Sequence, residues 1–383
     1  MAPRLSPRVF AVGFGQNVAS FLAWSVIPLW SVQVGKAETW QMGMLAAVSG
    51  VVYIFTALRA GPLSDRVGRG RMARAGLVLF ALFCVLAWWA RSVTGFIALG
   101  AVNGFAMALV WPGLQASIGD ASTADDLERN LGAFSLSWSA GKTAGFLASA
   151  LAYGELGLDA LILCGALSLL LAPLLPGGRS ERHADAPPLV RDDHHPPALR
   201  AAHLRVGWFA NFAGYGMGST MVYLYPKLVV AAGRPEREHG FVLGAVFLAQ
   251  TVGFWLFGRY AGWRYRFAPV ACWLGIGAAA LLVLGFRAPL PVAIPAGLVL
   301  GLALGQAYMA SVYYSVHSEK DRGARAGIHE AIIGAGDFGI PLLGGYVAYR
   351  SDWIPASYLL AAAVAGLAIL AAGRAVRGAP RPA

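Results

Sequence analysis

Charge is scarce in this 383-residue chain, in which only 13% of the residues are Asp, Glu, Lys or Arg. Soluble domains carry about 25% charged residues, so a chain this poor in charge cannot build an ordinary water-soluble surface. Hydrophobic residues instead make up 57% of the sequence. The composition therefore excludes a soluble two-domain enzyme and a disordered protein, and it indicates a polytopic helical membrane protein.

Several motifs are also missing. The three cysteines lie in apolar runs, without the spacing of a disulfide framework or a metal site. No G-x-x-x-x-G-K-[ST] sequence is present, which argues against ATP as the energy source. The N-terminal apolar run lacks an A-x-A-like cleavage site, so we expect an uncleaved first helix. We expect no catalytic residues, metal or cofactor.

Long apolar runs are abundant, and a helix needs about 20 such residues to cross a bilayer. Twelve runs qualify as predicted spans. They cover residues 8–34, 40–60, 72–91, 94–118, 130–153, 157–176, 203–231, 240–258, 267–286, 289–316, 324–349 and 353–373. The polar, proline-containing stretch 177–202 reads as a cytoplasmic linker. It divides the chain into predicted six-helix bundles at 1–176 and 203–383.

The distribution of basic residues orients the predicted spans. With the N-terminus in the cytoplasm, 22 of the 30 Lys and Arg residues lie on the inner side and 7 lie outside. This asymmetry predicts that both termini are cytoplasmic. The net charge of +11 thus reflects the orientation of the spans in the membrane and does not indicate nucleic-acid binding. The low lysine content beside abundant Arg, Ala and Gly is typical of a GC-rich genome and favours a bacterial inner membrane.

The two halves of the sequence resemble each other at a nearly constant offset. Matching pairs include Gly61 with Gly258, Gly100 with Gly297, Gly104 with Gly301, Arg129 with Arg325, Tyr153 with Tyr349, and Pro28 with Pro226. The offsets are 196 to 198 residues. An even number of spans in each half gives the repeats the same orientation.

The loop after span 2 carries the most specific motif. It reads Gly61-Pro-Leu-Ser-Asp65-Arg66-Val-Gly68-Arg69-Gly-Arg71. Gly61 and Gly68 permit a tight turn, and Asp65 is a lone acid among arginines. The loop resembles the G-x-L-a-D-r-x-G-r-k motif of the major facilitator superfamily (MFS).

The resemblance implies an all-α membrane protein with 12 transmembrane helices, arranged as two pseudo-symmetric six-helix bundles. It also implies a conformational latch formed by Gly61, Asp65, Arg66, Gly68, Arg69 and Arg71. Two other family motifs fit poorly, because Gly100 replaces an expected arginine in span 4 and Phe146 replaces the antiporter proline in span 5. These departures weaken the usual grounds for proton coupling and for antiport.

Three charged residues lie well inside predicted spans, where charge is costly and typically functional. Lys142 is near the middle of span 5, and Glu330 and Asp337 lie on one face of span 11. Trp138 precedes Lys142 by one helical turn, and His329 adjoins Glu330. We expect this set to bind charged groups of a substrate, to carry a coupled proton, or to form structural charge pairs.

Polar residues in spans 1, 4, 7 and 10 form a second candidate set, because the resemblance makes these the cavity-lining helices. The set comprises Gln16, Asn17, Trp24, Asn103, Trp111, Gln115, Asn211, Tyr215, Tyr223, Gln306, Tyr313 and His317. Such groups orient ligands in apolar pockets, but they also make hydrogen bonds between helices. Both roles remain open for each residue.

These features favour a secondary active transporter that moves a small organic solute by alternating access, with proton coupling. Efflux of a drug or metabolite and uptake of a charged metabolite remain alternatives. We expect the protein to act as a monomer, with a small-molecule substrate, H⁺ and the lipid bilayer as its partners. The other classes are an intramembrane enzyme and a non-transporting membrane receptor.

Overall fold

The computed structural model describes residues 6–122, 124–175, 195–316 and 322–378, and these ranges contain twelve α-helices and no β-strand. The helices are α1 (Pro7–Gln33), α2 (Thr39–Val67), α3 (Arg69–Ala90), α4 (Val93–Ala121), α5 (Ala124–Leu156), α6 (Ala160–Leu171), α7 (Pro197–Ala231), α8 (Arg237–Arg259), α9 (Phe267–Gly285), α10 (Leu290–Val316), α11 (Arg322–Arg350) and α12 (Ala356–Arg377). Short 3₁₀ segments, Gly157–Asp159 and Ala172–Leu174, flank α6. The predicted all-α fold class is confirmed.

Ten helical stretches within the described ranges are long and apolar enough to cross a membrane. One of them, Arg129–Leu174, takes in both α5 and α6. Helix α7 is not among the ten, although it is 35 residues long. Its glycines and its Asn, Ser, Thr and Tyr side chains lower its hydropathy, while 23 of its residues are buried inside the protein.

Several helices extend beyond the predicted spans, because hydropathy detects only the apolar part of a helix. Helix α2 continues to Val67, so Gly61 lies inside the helix and not in a turn. The prediction of a turn-forming role for Gly61 is therefore wrong. The turn before α3 falls at Gly68, whose φ of 105° lies in a region that favours glycine. Helix α7 begins at Pro197, within the predicted linker, and residues 177–194 lie outside the described ranges.

The chain forms two compact units. Unit 1 consists of Met1–Ala37, Ala47–Leu189 and Pro235–Gly244, and unit 2 consists of Glu38–Ala46, Val190–Arg234 and Ala245–Ala383. Each unit thus includes a short segment from a helix that continues in the other. The division of the chain at the linker into two six-helix bundles remains a prediction.

Glycines allow the helices of unit 1 to approach closely. A Cβ atom added at Gly104 of α4 would overlap the carbonyl oxygen of Ser49 in α2, and one added at Gly141 of α5 would overlap that of Phe14 in α1. One turn after Gly141, a Cβ at Gly145 would lie 2.7 Å from the carbonyl oxygen of Val18. Such contact between backbones is typical of helix packing in membranes.

Unit 2 repeats these contacts at corresponding positions. A Cβ at Gly301 of α10 would overlap the carbonyl oxygen of Val246 in α8, and both residues stand 197 positions after Gly104 and Ser49. A Cβ at Gly336 of α11 would likewise overlap the carbonyl oxygen of Phe212 in α7. The sequence repeat therefore encodes the same helix crossings in each unit.

We expect Gly141→Ala to lower the free energy of unfolding by about 1–3 kcal/mol, because its methyl group would meet the α1 backbone. Gly132→Ala is the matched control on the same helix, since a Cβ at Gly132 has nothing within 4 Å. The control should change stability by less than about 1 kcal/mol, in the stabilising direction. Unfolding in detergent measures both, and equal stabilities would contradict the expectation.

Candidate functional site

Lys142 lies near the middle of α5 and is only 8% exposed. The glycines on either side of it, Gly141 and Gly145, face α1 and bring that helix within backbone contact. The approach places the ring of Phe21 beside the lysine, and the ammonium nitrogen lies 4.6 Å from the centre of that ring. A cation at this distance is attracted to the aromatic face.

Phe21 belongs to an aromatic platform that consists of Phe21, Trp24 and Phe146. The ring of Phe21 meets Trp24 edge-on at 4.8 Å and meets Phe146 at 5.3 Å. Trp24 is half-buried, as is the predicted Trp138. The lysine charge thus lies against the ring of Phe21, which packs against two further aromatic rings.

Three of the four predicted amides of unit 1, Gln16, Asn17 and Asn103, are buried and hydrogen-bonded. Gln16 accepts a 2.7 Å bond from the Ser168 hydroxyl of α6 and donates to Ser20. Asn17 donates to the Gly13 carbonyl oxygen of its own helix, at 2.9 Å. Asn103 donates to the Ser49 hydroxyl of α2, at 2.8 Å.

In the structure, Gln16 and Asn103 join helices, which is one of the two roles left open for them. The remaining predicted residues of α4, Trp111 and Gln115, are half-buried. Half-burial leaves part of each of these two side chains accessible.

Glu330 and Asp337 are half-buried on α11. Seven residues separate them, so they lie on one helix face about 10 Å apart along its axis. Tyr223 of α7, another predicted residue, is buried, with 7% of its surface exposed. These three residues all belong to unit 2, whereas Lys142 belongs to unit 1.

His329 is buried between α10 and α11. Its Nδ1 atom lies 2.7 Å from the Ser311 hydroxyl, and its ring centre lies 5.5 Å from that of Tyr308. The ring of Tyr308 in turn lies 6.2 Å from that of Tyr215 on α7. The structure thus brings two sequence-predicted residues, His329 and Tyr215, around Tyr308.

The other predicted residues of α7 and α10 have different surroundings. Asn211 and Gln306 are fully buried, with exposures of 0% and 1%, and their amide atoms have no hydrogen-bond partner among the described residues. The guanidinium group of Arg264 lies over the ring of Tyr313, 4.5 Å from the ring centre. His317 lies outside the described residues.

The predicted latch surrounds the turn at Gly68. Arg66 and Arg71 are exposed, whereas Arg69 is 8% exposed at the start of α3. The backbone of Arg69 approaches Gly113 of α4, where an added Cβ would lie 3.4 Å from the Arg69 carbonyl oxygen. Residue 65 lies within α2, and its side chain lies outside the description.

The sequence profile described as Major Facilitator Superfamily matches residues 9–318. The chain belongs to this superfamily. Its apolar helices and this membership make it a multi-pass membrane protein.

Curated MFS relatives match part of the chain. An uncharacterized MFS-type transporter, YcaD, from Salmonella dublin is 26% identical over 247 residues, which cover 62% of this chain and 61% of the relative. YcaD from Salmonella enteritidis PT4 matches to the same extent. The chain therefore spans about three-fifths of the length of these relatives.

Solved MFS structures share the fold over nearly the whole chain. A bacterial homolog of the human lysosomal transporter Spinster has a TM-score of 0.73 at 14% identity, covering 99% of this chain and 100% of its own. The nucleoside transporter NupG scores 0.71 at 14% identity, with 97% and 98% coverage. The human organic anion transporter MFSD10 scores 0.65 at 17% identity, with 95% and 99% coverage.

Nothing in the sequence pointed to Phe21, the aromatic partner of Lys142, as a site residue. Phe21 resembles any other apolar residue of a spanning helix, and its spacing of three from Trp24 is the only local signal. Its contact with Lys142 depends on the α1–α5 crossing, which spacing within one helix does not reveal.

A double-mutant cycle tests the contact between Phe21 and Lys142. We expect Phe21→Leu and Lys142→Met to show a coupling energy of about 0.5–2 kcal/mol in unfolding, because each change removes one partner of the cation–π contact. Phe80→Leu with Lys142→Met is the control cycle, since Phe80 is fully buried against Phe83. Equal coupling in the two cycles would show that the contact contributes nothing specific.

Proposed function

We propose that this protein is a secondary active transporter that moves a small organic solute by alternating access, with coupling to protons. The observation that carries the proposal is the buried ammonium group of Lys142, held on the aromatic platform near the middle of α5. On insertion scales, a lysine at the centre of a spanning helix costs about 2.5–3.5 kcal/mol. A buried charge with such a cost supports a functional role for Lys142.

The surroundings of Lys142 favour a solute with an anionic group and an apolar body. The ammonium group supplies positive charge in an environment of low polarity, where it attracts an anion more strongly than in water. Phe21 and the half-buried Trp24 and Trp138 supply aromatic surface nearby. Of the solved neighbours, MFSD10 is named as an organic anion transporter, which fits this class of solute better than the nucleosides named for NupG.

Proton coupling is assigned to the carboxyl groups of α11. Glu330 and Asp337 lie on one face of a helix that is long and apolar enough to span the bilayer. A carboxyl group in such a helix can be neutralised by a proton during the transport cycle, which lowers the cost of moving through apolar surroundings.

The remaining elements of the proposal concern conformation and location. The loop around Gly68, with Asp65 and its arginines, acts as the conformational latch. The protein functions as a monomer in a bacterial inner membrane with both termini in the cytoplasm. The excess of basic residues on one side of the helices and the bacterial origin of the YcaD relatives support this placement.

Solute counterflow in proteoliposomes, run with a panel of organic anions and other metabolites, tests transport and identifies a solute. The alternatives are a membrane receptor, which would show no counterflow, and an intramembrane enzyme, which would chemically convert a panel member. Accumulation or extrusion in oriented membrane vesicles then separates uptake from efflux.

We expect Asp337→Asn or Glu330→Gln to abolish stimulation of transport by a pH gradient while leaving counterflow measurable. Neutral side chains cannot gain and release the coupled proton. Glu155→Gln is the control, because Glu155 is an exposed acid near the end of α5. Full gradient-driven transport in both α11 variants would refute the assignment.

Fusions at the C-terminus test the topology. We expect a C-terminal green fluorescent protein to fluoresce and a C-terminal alkaline phosphatase to be inactive, because the basic residues place this end in the cytoplasm. The opposite pattern would reverse the proposed orientation.

A further inference from the structure

The turn that precedes α9 repeats the turn that precedes α3. Tyr265 lies 197 positions after Gly68, and φ is positive at both residues, 53° and 105°. A tyrosine rarely adopts this conformation, so its surroundings must hold it. Tyr265 is 6% exposed, and its backbone N–H donates to the Tyr314 hydroxyl group at 2.8 Å. The structure thereby fixes the direction in which the chain enters α9 at Arg266.

The two turns differ in charge. At the same offset, Gly262 stands where the first turn has Asp65, whereas Arg266 corresponds to Arg69. Arg69 is 8% exposed, but Arg266 is exposed at the surface of the protein. Unit 2 therefore keeps an arginine at this turn, exposes it, and lacks the acidic residue that accompanies it in the turn of unit 1.

Helix α12 brings two more arginines to the start of α9. A Cβ atom added at Gly373 of α12 would lie 3.3 Å from the ring of Phe267, the residue that follows Arg266. Arg374 adjoins Gly373, and Arg377 lies one helical turn beyond it on the same face. Both arginines are exposed. Three exposed arginines thus gather where α9 begins and α12 ends.

The helices that surround these arginines contain almost no acidic residues. Helix α9 packs against α7, α10 and α12, and none of these four helices contains Asp or Glu. Helix α11 also contacts α12, but it carries its acids, Glu330 and Asp337, well inside its span. Asp352, the acid closest to α12 in the sequence, precedes the opposite end of that helix. The positive charge of this region is therefore complementary to an anionic partner.

Exposed apolar side chains extend the same face of α12 away from its arginines. Leu367 and Leu370 precede Arg374 at helical spacing and are 64% and 61% exposed. Ile276 on α9 is 48% exposed. Both helices are long and apolar enough to cross a membrane, so these side chains face lipid acyl chains and the arginines lie nearer the headgroups. The α9–α12 surface is defined as Arg266, Ile276, Leu367, Leu370, Arg374 and Arg377.

We propose that the α9–α12 surface binds an anionic phospholipid. Its three guanidinium groups donate hydrogen bonds to the phosphate group of the lipid, which an arginine can contact through two parallel bonds. The acyl chains of the lipid lie along the three apolar residues of the surface.

A phospholipid fits this surface better than a soluble anion does. Only a lipid can place a phosphate group beside the arginines and acyl chains on the adjacent apolar face at the same time. A lipid with a net negative charge is favoured, because the ammonium group of phosphatidylethanolamine would lie in a region of positive charge. The site goes beyond the proposed transport function, since it requires no solute and involves none of the residues assigned to the solute or the proton.

Native mass spectrometry of the full chain in detergent tests the proposal, with phosphatidylglycerol or phosphatidylethanolamine added at equal concentration. We expect the protein to retain several-fold more phosphatidylglycerol. A triple variant, Arg266→Gln, Arg374→Gln and Arg377→Gln, should lower this binding at least about tenfold, because each basic residue near an anionic membrane surface contributes a factor of about five. Equal binding of the two lipids to the wild-type protein would overturn the proposal, and this comparison holds even if the triple variant does not fold.

The matched control replaces three other exposed arginines, by Arg237→Gln, Arg287→Gln and Arg350→Gln, which lie near the opposite ends of their helices. This control changes the net charge by the same amount and should bind phosphatidylglycerol as the wild type does. An equal loss of binding in the control and in the site variant would overturn the proposal, because binding would then follow net charge alone.

Competition with inorganic phosphate distinguishes a lipid site from a site for a soluble anion. A large excess of phosphate should leave phosphatidylglycerol bound, because phosphate lacks acyl chains that could cover the apolar residues. Displacement of the lipid would overturn the proposal. Phosphatidylglycerol should also raise the Tm of the wild type and of the control but not of the site variant, and an equal rise in all three proteins would likewise overturn it.

Discussion

At several helix crossings in both units, the backbones touch at glycine, and the candidate sites depend on these contacts. In lipid the hydrophobic effect does not press helices together, so they associate through van der Waals contact at small residues. Gly141 and Gly145 bring α5 against α1, and Gly336 brings α11 against α7. Any side chain at these positions would push the helices apart.

The candidate sites follow from these crossings. In unit 1, the approach of α1 to α5 carries Phe21 to the ammonium group of Lys142. In unit 2, the approach of α7 to α10 at Gly207 brings α7 against Ser311, whose hydroxyl group is hydrogen-bonded to His329. Lys142 and His329 thus each meet a partner from a neighbouring helix.

Much of the fold could be predicted from the sequence, because a membrane span can be recognised from the apolar composition of a single stretch of residues. All twelve helices appear at predicted positions, and the turn falls at Gly68. The helix ends were less predictable: α2 and α7 continue into polar residues, because backbone hydrogen bonding does not stop where hydropathy falls.

The sites were predicted less completely. Lys142, Glu330 and Asp337 could be recognised because charge inside a span is conspicuous. For the amides, the sequence left binding and helix bridging equally open, and the hydrogen bond from Ser168 to Gln16 reveals a bridge that no local pattern shows. Phe21 was overlooked because an apolar residue in a spanning helix carries no distinguishing signal.

By itself, the sequence determined that this protein belongs in a membrane, how many helices it has and where its rare charges fall along them. These properties depend on composition and on the length of apolar runs, and both are local. Only the tertiary structure decided which side chains those charges meet. The partner of Lys142, Phe21, comes from a helix 121 positions earlier in the chain, and the partner of His329, Ser311, comes from the preceding helix. Backbone contacts at glycine contribute to the register of these crossings.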